Sequence, residues 1–309
     1  MPWKQKGEAT LCPFSTNEII VNLLQNHRDF FAHWLPCGSV TLFMNYHLVI
    51  SFLFCAISVF WQTTSLDASP QKLDAFQDGE WFQYRIHYGF FNASMVELEL
   101  IADTLNKIPV LHAKGYGKTT GLARLFFKVD DRYESYFGQH DGLPRKFIRD
   151  IYEGGYTKDI EIRFDHQAQL AKVHDKKNQK KSQHPIKENV QDLISAFYYL
   201  RNFYDTRLLD YGKDILLNMF FDEENYLFKL RFLGRETIDT KFGRINCVKL
   251  RPLVQSGRVF SEQESVTLWV SDDENKIPVK IRADLRVGSI DCDLENFKNL
   301  RHPFRIKIQ

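Results

Sequence analysis

The chain of 309 residues is long for one domain and short for three, and its apolar (44%) and charged (26%) contents are those of an ordinary globular protein. A formal net charge of +2 lacks the basic excess that marks a nucleic-acid-binding face, so nucleic acid is not an expected partner. The aromatic share of 14%, carried mainly by 26 Phe and 13 Tyr, leans toward β structure and apolar pockets.

Between Ser39 and Leu66 there is no Lys, Arg, Asp or Glu. The densest part, "LVISFLFCAISVFW" (Leu48 to Trp61), has the length of an export signal's apolar core. It falls short of the roughly 20 residues of a comfortable membrane span. Translation from Met44 would make "MNYHLVISFLFCAISVFWQTTSLDA" a compact signal peptide. Its leading residues carry no Lys or Arg, and Leu66 stands where a small residue is preferred before a cut after Ala68. An uncleaved anchor is therefore the alternative. Residues 44–68 are read as signal peptide or anchor, residues 1–43 as an over-extended start or short tail, and residues 69–309 as a single β-rich domain.

In "EWFQYRIHYG" (Glu80 to Gly89), Phe82, Tyr84, Ile86 and Tyr88 alternate with Trp81, Gln83, Arg85 and His87. Period two marks a half-buried strand. "SMVELELIAD", "VLHAKGYGKT" and "LARLFFKVDDRYESYF" continue in the same way, and the glycines of "GYGKTTG" read as a strand-to-strand turn. "GYTKDIEIRFDHQAQLAKVHD" reads as a hairpin turning near Asp165 to Gln167. The basic stretch 176–188, "KKNQKKSQHPIKE", reads as a solvated loop, since no aromatic residues interleave with its lysines.

One segment breaks the rhythm. In "NVQDLISAFYYLRNFYD", Val190, Leu193, Ile194, Phe197, Leu200 and Phe203 recur every three or four residues. This is the stripe of an amphipathic helix, with Asn189 the expected N-cap. Strands resume at "DILLNMFF", with a turn cluster at Asp222 to Asn225 and further breaks at Gly234 and Gly243. The expected fold is mainly β: a curved antiparallel sheet or half-open β-barrel with one amphipathic helix packed on it.

Chemistry is sparse. No CxxC, HExxH, GxSxG or phosphate-binding glycine loop is present, and no cofactor or metal is expected. Cys247 and Cys292 lie in the β-rich region. Export would permit them to pair, whereas their strand-like surroundings favour buried free thiols. The acids Asp272, Asp273 and Glu274 in "LWVSDDENKIPVKIRADLRVGSI" are contiguous, without the alternation and internal Gly of a calcium loop. Both flanking arms keep period two, so Asp272 to Asn275 reads as a hairpin turn. Asp130, Asp131, His140 and Asp141 are the place a hydrolytic site would be sought.

Four stretches taken in order carry a resemblance: "FQDGEWFQYRIHYGFFNAS", "FFKVDDRYESYFGQHDGLPRKFIRDIYEGGY", "GRINCVKLRPLVQSGRVF" and the "LWVSDDENKIPVKIRADLRVGSI" hairpin. Together they resemble the bacterial domain-of-unknown-function family numbered 3108, over roughly Phe76 to Leu300. The final hairpin is also similar to that of periplasmic lipoprotein carriers and related sigma-factor regulator sensors, though this chain has one clear helix where the carriers have several. The resemblance implies an exported, periplasmic or membrane-anchored envelope protein without catalytic residues to carry over. It further implies a half-barrel over an apolar cavity. A lipid or other apolar ligand is the expected partner, with Val266, Leu268, Ile277, Val279 and Ile281 as candidate lining. The alternative is an envelope interaction module with a filled core that binds a protein partner.

Overall fold

A computed structural model describes residues 74–253 and 266–307; the segments 1–43 and 44–68, read above as tail and export signal, lie outside the described residues. The first half of the sheet is a meander of eight strands: β1 (Trp81–Tyr88), β2 (Phe91–Leu105), β3 (Ile108–Thr119), β4 (Val129–Gly138), β5 (Pro144–Glu153), β6 (Tyr156–Asp165), β7 (Leu170–Asp175) and β8 (Lys180–Pro185). The second half has six: β9 (Asp214–Phe221), β10 (Glu224–Thr240), β11 (Gly243–Pro252), β12 (Val266–Ser271), β13 (Pro278–Asp284) and β14 (Ser289–Lys298). Two helices interrupt them, α1 (Gly121–Phe126) and α2 (Leu193–Phe203).

All fourteen strands form one antiparallel sheet in the order β8-β7-β6-β5-β4-β3-β2-β1-β14-β13-β12-β11-β10-β9. The two meanders join where β1 pairs with β14, and α2 carries the chain from one edge of the sheet to the other. The ladder does not close. The edges nevertheless approach each other: the Gln191 amide donates to the Asn218 carbonyl, and the Phe220 amide to the Gln191 carbonyl, each at 2.9 Å. The Asn225 side chain donates to the Pro185 carbonyl at 2.7 Å. Beneath this seam Phe147, Ile160, Ile162 and Phe164 pack with Phe220 and Phe221 of β9. A strongly coiled sheet of this size rolls up because each strand twists against the next.

The expected strand periods hold where both faces differ in environment: along β1, Phe82, Tyr84 and Ile86 are buried while their neighbours are not. Three local expectations need correction. The stretch from Leu122 to Phe126 is helical rather than strand, because β3 runs through "GYGKT" without turning and α1 makes the connection. The basic stretch 176–188 is not all loop; β8 pairs with β7 and leaves a tight turn at Lys176 to Gln179. Asn189 does not cap α2. It takes a left-handed backbone (φ 52°) in the preceding turn, and Asp192 is the cap. The Asp192 carboxylate accepts from the Ile194 and Ser195 amides, and the Asp192 amide donates back to the Ser195 hydroxyl. This reciprocal arrangement satisfies the otherwise orphaned first-turn donors.

Helix α2 lies inside the roll rather than on an outer face, and none of its residues is exposed. Tyr198 and Phe197 pack toward β1 and β4, Leu200 toward β9–β12, and Ala196 against Leu217 and Met219. Arg201 anchors its last turn. The guanidinium donates to both Glu80 oxygens at 2.6 and 2.8 Å, to the Asn275 carbonyl at 2.8 Å and to the Ala75 carbonyl at 3.0 Å. Asn275 belongs to the acidic turn read from the sequence. That turn joins β12 and β13, and the Asp273 carboxylate is spent accepting from the Ser271 hydroxyl and the Asn275 and Lys276 amides.

Candidate functional site

A cavity of about 230 Å³ remains between the first turns of α2 and the concave face of the sheet. Leu193, Ile194 and Phe197 form its helical wall. Tyr84 of β1, Val96 and Leu98 of β2, and Tyr133 of β4 form one sheet wall; Pro278, Ile281 and Cys292 form another. Gly115 and Gly117 of β3 supply floor without side chains. A Cβ at Gly115 would lie in ordinary contact, 3.5 Å from the Ile194 side chain, 3.6 Å from the Tyr133 carbonyl and 3.8 Å from Leu98, so a longer side chain there would extend into the cavity these residues line.

The polar atoms of this lining are occupied or neutral. The Tyr84 hydroxyl donates to the Pro278 carbonyl at 3.1 Å, and burial pushes its phenol well above the usual range. Burial pushes the Cys292 thiol up to about 12, so it stays protonated. Glu97, at the margin, accepts from the Gln83 side chain at 3.0 Å. Such a surface offers contact to hydrocarbon and little hydrogen bonding.

Beyond Tyr133 the interior turns polar. Asp131, Arg149 and Glu153 are all buried. Burial, reinforced by the neighbouring Glu153 carboxyl, pushes the Asp131 carboxyl up to about 8. Arg149 donates to Asp222 at 2.8 Å, and Lys158 donates to the same oxygen at 2.6 Å. A smaller pocket of about 130 Å³ lies among Arg149, Lys158, Asp222 and the apolar side chains of β5–β7. A third, of about 270 Å³, is lined by Arg85, Lys241, Lys280, Asp293 and Glu295, which neutralise one another in ion pairs.

The five residues expected to line a cavity separate. Ile281 lines it. Val266 packs with Ala283, Leu268 against Val248 and Leu250, and Ile277 with Phe82 and Tyr198. Val279 packs with Ile245, Cys247 and Trp269. The cause is a register shift opposite Trp269 and Val270 that places an extra residue in β13 and turns Val279 away from Ile281's side. The cavity residues from β1–β4 and from the helix were not singled out; the paired glycines of "GYGKT" were their one visible signal. Asp130 and Asp131 point to opposite faces of β4, and His140 and Asp141 lie beyond its far end, roughly 25 Å away at strand rise. The structure does not bring these four together. Among the described residues no group of His, Cys, Asp and Glu could hold a metal, Cys247 and Cys292 are free thiols, and no helix is long and apolar enough to cross a membrane.

These features define an incompletely closed antiparallel β-roll wound about an internal helix, with an apolar cavity left between the two. Within that class the chain belongs to the family described as "Protein of unknown function (DUF3108)", which matches residues 83–295. Among solved structures it is similar to a β-barrel-like protein of domain of unknown function DUF1849 from Brucella abortus, at 9% identity and a TM-score of 0.46, over 72% of this chain and 98% of the other. It is also similar to a DUF1089 family protein from Pseudomonas aeruginosa, at 11% identity and a TM-score of 0.34, over 60% and 88% of the two chains. No curated protein matches it.

Proposed function

We propose that this is a non-catalytic, exported envelope protein that holds a lipid acyl segment or a similar slender apolar ligand between α2 and the concave face of the sheet. The observation that carries this reading is the cavity of about 230 Å³, larger than the ~150 Å³ apolar cavities that stay dry and take up benzene. The charge-free run from Ser39 to Leu66 supports export. Native mass spectrometry of protein purified from its own envelope, joined to titration with a fluorescent long-chain fatty acid, tests the reading. Gly115→Leu and Ile281→Trp both fill the cavity and are expected to weaken fatty-acid binding by roughly tenfold or more while the fold is kept. Consistent purification without bound lipid, together with binding unchanged by both substitutions, would overturn it. That outcome would favour the second reading, an interaction module, which is supported by how much of the interior α2 already fills.

A further inference from the structure

The antiparallel order places the β1–β2, β3–β4, β5–β6, β7–β8, β9–β10 and β13–β14 connections at one end of the roll; at the β9–β10 tip Asp222 is paired with Arg149 and Lys158, and Glu223 with His184. The opposite end is occupied by the last turn of α2 and by the chain segments that Arg201, Asn202 and His302 tie together, and it exposes Ile108, Leu208 and Tyr211 singly. At the first end the connections expose apolar side chains. Phe90 is fully exposed at the β1–β2 tip, and Phe91 follows it. Helix α1 buries no residue at all, and Leu122, Leu125 and Phe126 stand 60%, 79% and 85% exposed. Val287 at the β13–β14 tip is 77% exposed.

These tips are neighbours. The Tyr88 hydroxyl donates to the Val287 carbonyl at 2.8 Å, which joins the β13–β14 tip to the β1–β2 tip. The Thr120 amide donates to the Ala93 carbonyl at 3.0 Å, which seats α1 beside Phe90 and Phe91. On the far side of α1, Phe127 packs so closely on Gly154 that a Cβ there would meet its ring at 2.2 Å. This brings the β5–β6 tip, with exposed Tyr152 and Tyr156, into the same rim.

We infer that this rim docks on an anionic lipid bilayer surface, with Phe90, Phe91 and the apolar side of α1 inserted at the headgroup boundary. Protruding aromatic and leucine tips on separate connections suit insertion into a soft interface, whereas a protein partner is met more often by a broad packed face. Charge agrees. The next tip along the rim carries exposed Lys177, Lys180 and Lys181, and exposed Arg286 flanks the other side, while Lys176 is paired with Asp159 and Glu161 at 3.8 and 3.3 Å. The acid nearest α1, Asp130, is neutralised by Arg124 at 2.8 and 2.9 Å and by Lys128 at 3.2 Å. Lysines beside apolar tips add electrostatic attraction to anionic headgroups. The inference does not depend on the cavity being occupied.

Hydrogen exchange of the full chain, with and without phosphatidylcholine vesicles containing phosphatidylglycerol, tests it. Exchange is expected to slow in Tyr88–Phe91 and Gly121–Phe126 on adding these vesicles. The triple variant Phe90→Ser, Leu125→Ser, Phe126→Ser is expected to lose that protection and to partition roughly tenfold or more less well. A second variant, Lys177→Glu with Lys181→Glu, is expected to weaken binding to anionic vesicles while leaving neutral vesicles unaffected, and it decides the matter if the triple variant does not fold. The apolar run at Leu48 to Trp61 is common to all variants. Unchanged exchange at the rim with vesicles present would overturn the inference. So would protection of the rim in concentrated vesicle-free solution, which would assign it to a second copy of the chain.

Discussion

Asp131 is a carboxyl on the concave face of β4, 4% exposed and beside Glu153. Its proton is held to about pH 8 by burial and the neighbouring carboxyl, while in the unfolded chain it leaves near pH 4. Between these values the folded form binds a proton that the unfolded form has released. The resulting stabilisation is full below about pH 4 and is lost as pH rises toward 8, at up to ~1.4 kcal/mol per pH unit. Asp192, pushed up to about 6 by burial, acts in the same direction over the lower part of that window. The urea midpoint of the wild type should therefore fall between pH 5 and pH 8 relative to that of Asp131→Asn, which mimics the protonated group. An identical pH profile in the variant would contradict the assignment. Arg201 and Glu80, 3% and 0% exposed in their side chains, are bonded on both forks and fix the last turn of α2.

Among the elements, α2 depends on a cap that also ties it to the sheet. The Ser135 hydroxyl of β4 donates to Asp192 at 2.6 Å, so one carboxylate serves the helix and the strand beside it. Asp192→Ala removes both sets of bonds and is expected to cost about 1–2 kcal/mol in urea unfolding. Asp192→Asn, which caps equally well, should recover most of this. The sequence showed the helix through its apolar spacing but misplaced the cap by three residues, because Asn189 suits a left-handed turn as well as it suits a cap. Strands β12 and β13 were legible from alternation on both sides of the acidic turn. The bulge that turns Val279 away was not, since nothing in the β13 sequence records which partner residue is skipped. Helix α1 was hidden for a similar reason: "LARLFF" is apolar enough for a strand, and only the lack of a pairing partner leaves it helical.

For the whole molecule, the seam between the two sheet edges is the structural question. Backbone bonding there is confined to the segment before α2, and the rest is held by side chains, chiefly Asp222 between Arg149 and Lys158. Asp222 has φ of 46°, which Asn tolerates, so Asp222→Asn removes charge without straining the turn. It would leave Arg149, 5% exposed in its side chain, without the carboxylate it donates to, and loss of one partner of a buried pair costs at most about 3–5 kcal/mol. Amide exchange in β9 should then accelerate well beyond that in β1 and β14. Uniform acceleration across the sheet would instead mean that the seam opens only when the whole roll does.

The strand alternation of β1, β6 and β7 and the helical stripe of α2 were determined by the sequence alone, because side-chain period is a property of neighbours along the chain. Pairing of β1 with β14, placement of α2 inside the roll and the cavity beside it were decided only by tertiary structure. Each rests on contacts between residues far apart in sequence, such as the Tyr84 hydroxyl on the Pro278 carbonyl, 194 residues away. A cavity is what remains after all such contacts have filled the interior, so no single stretch of sequence contains it.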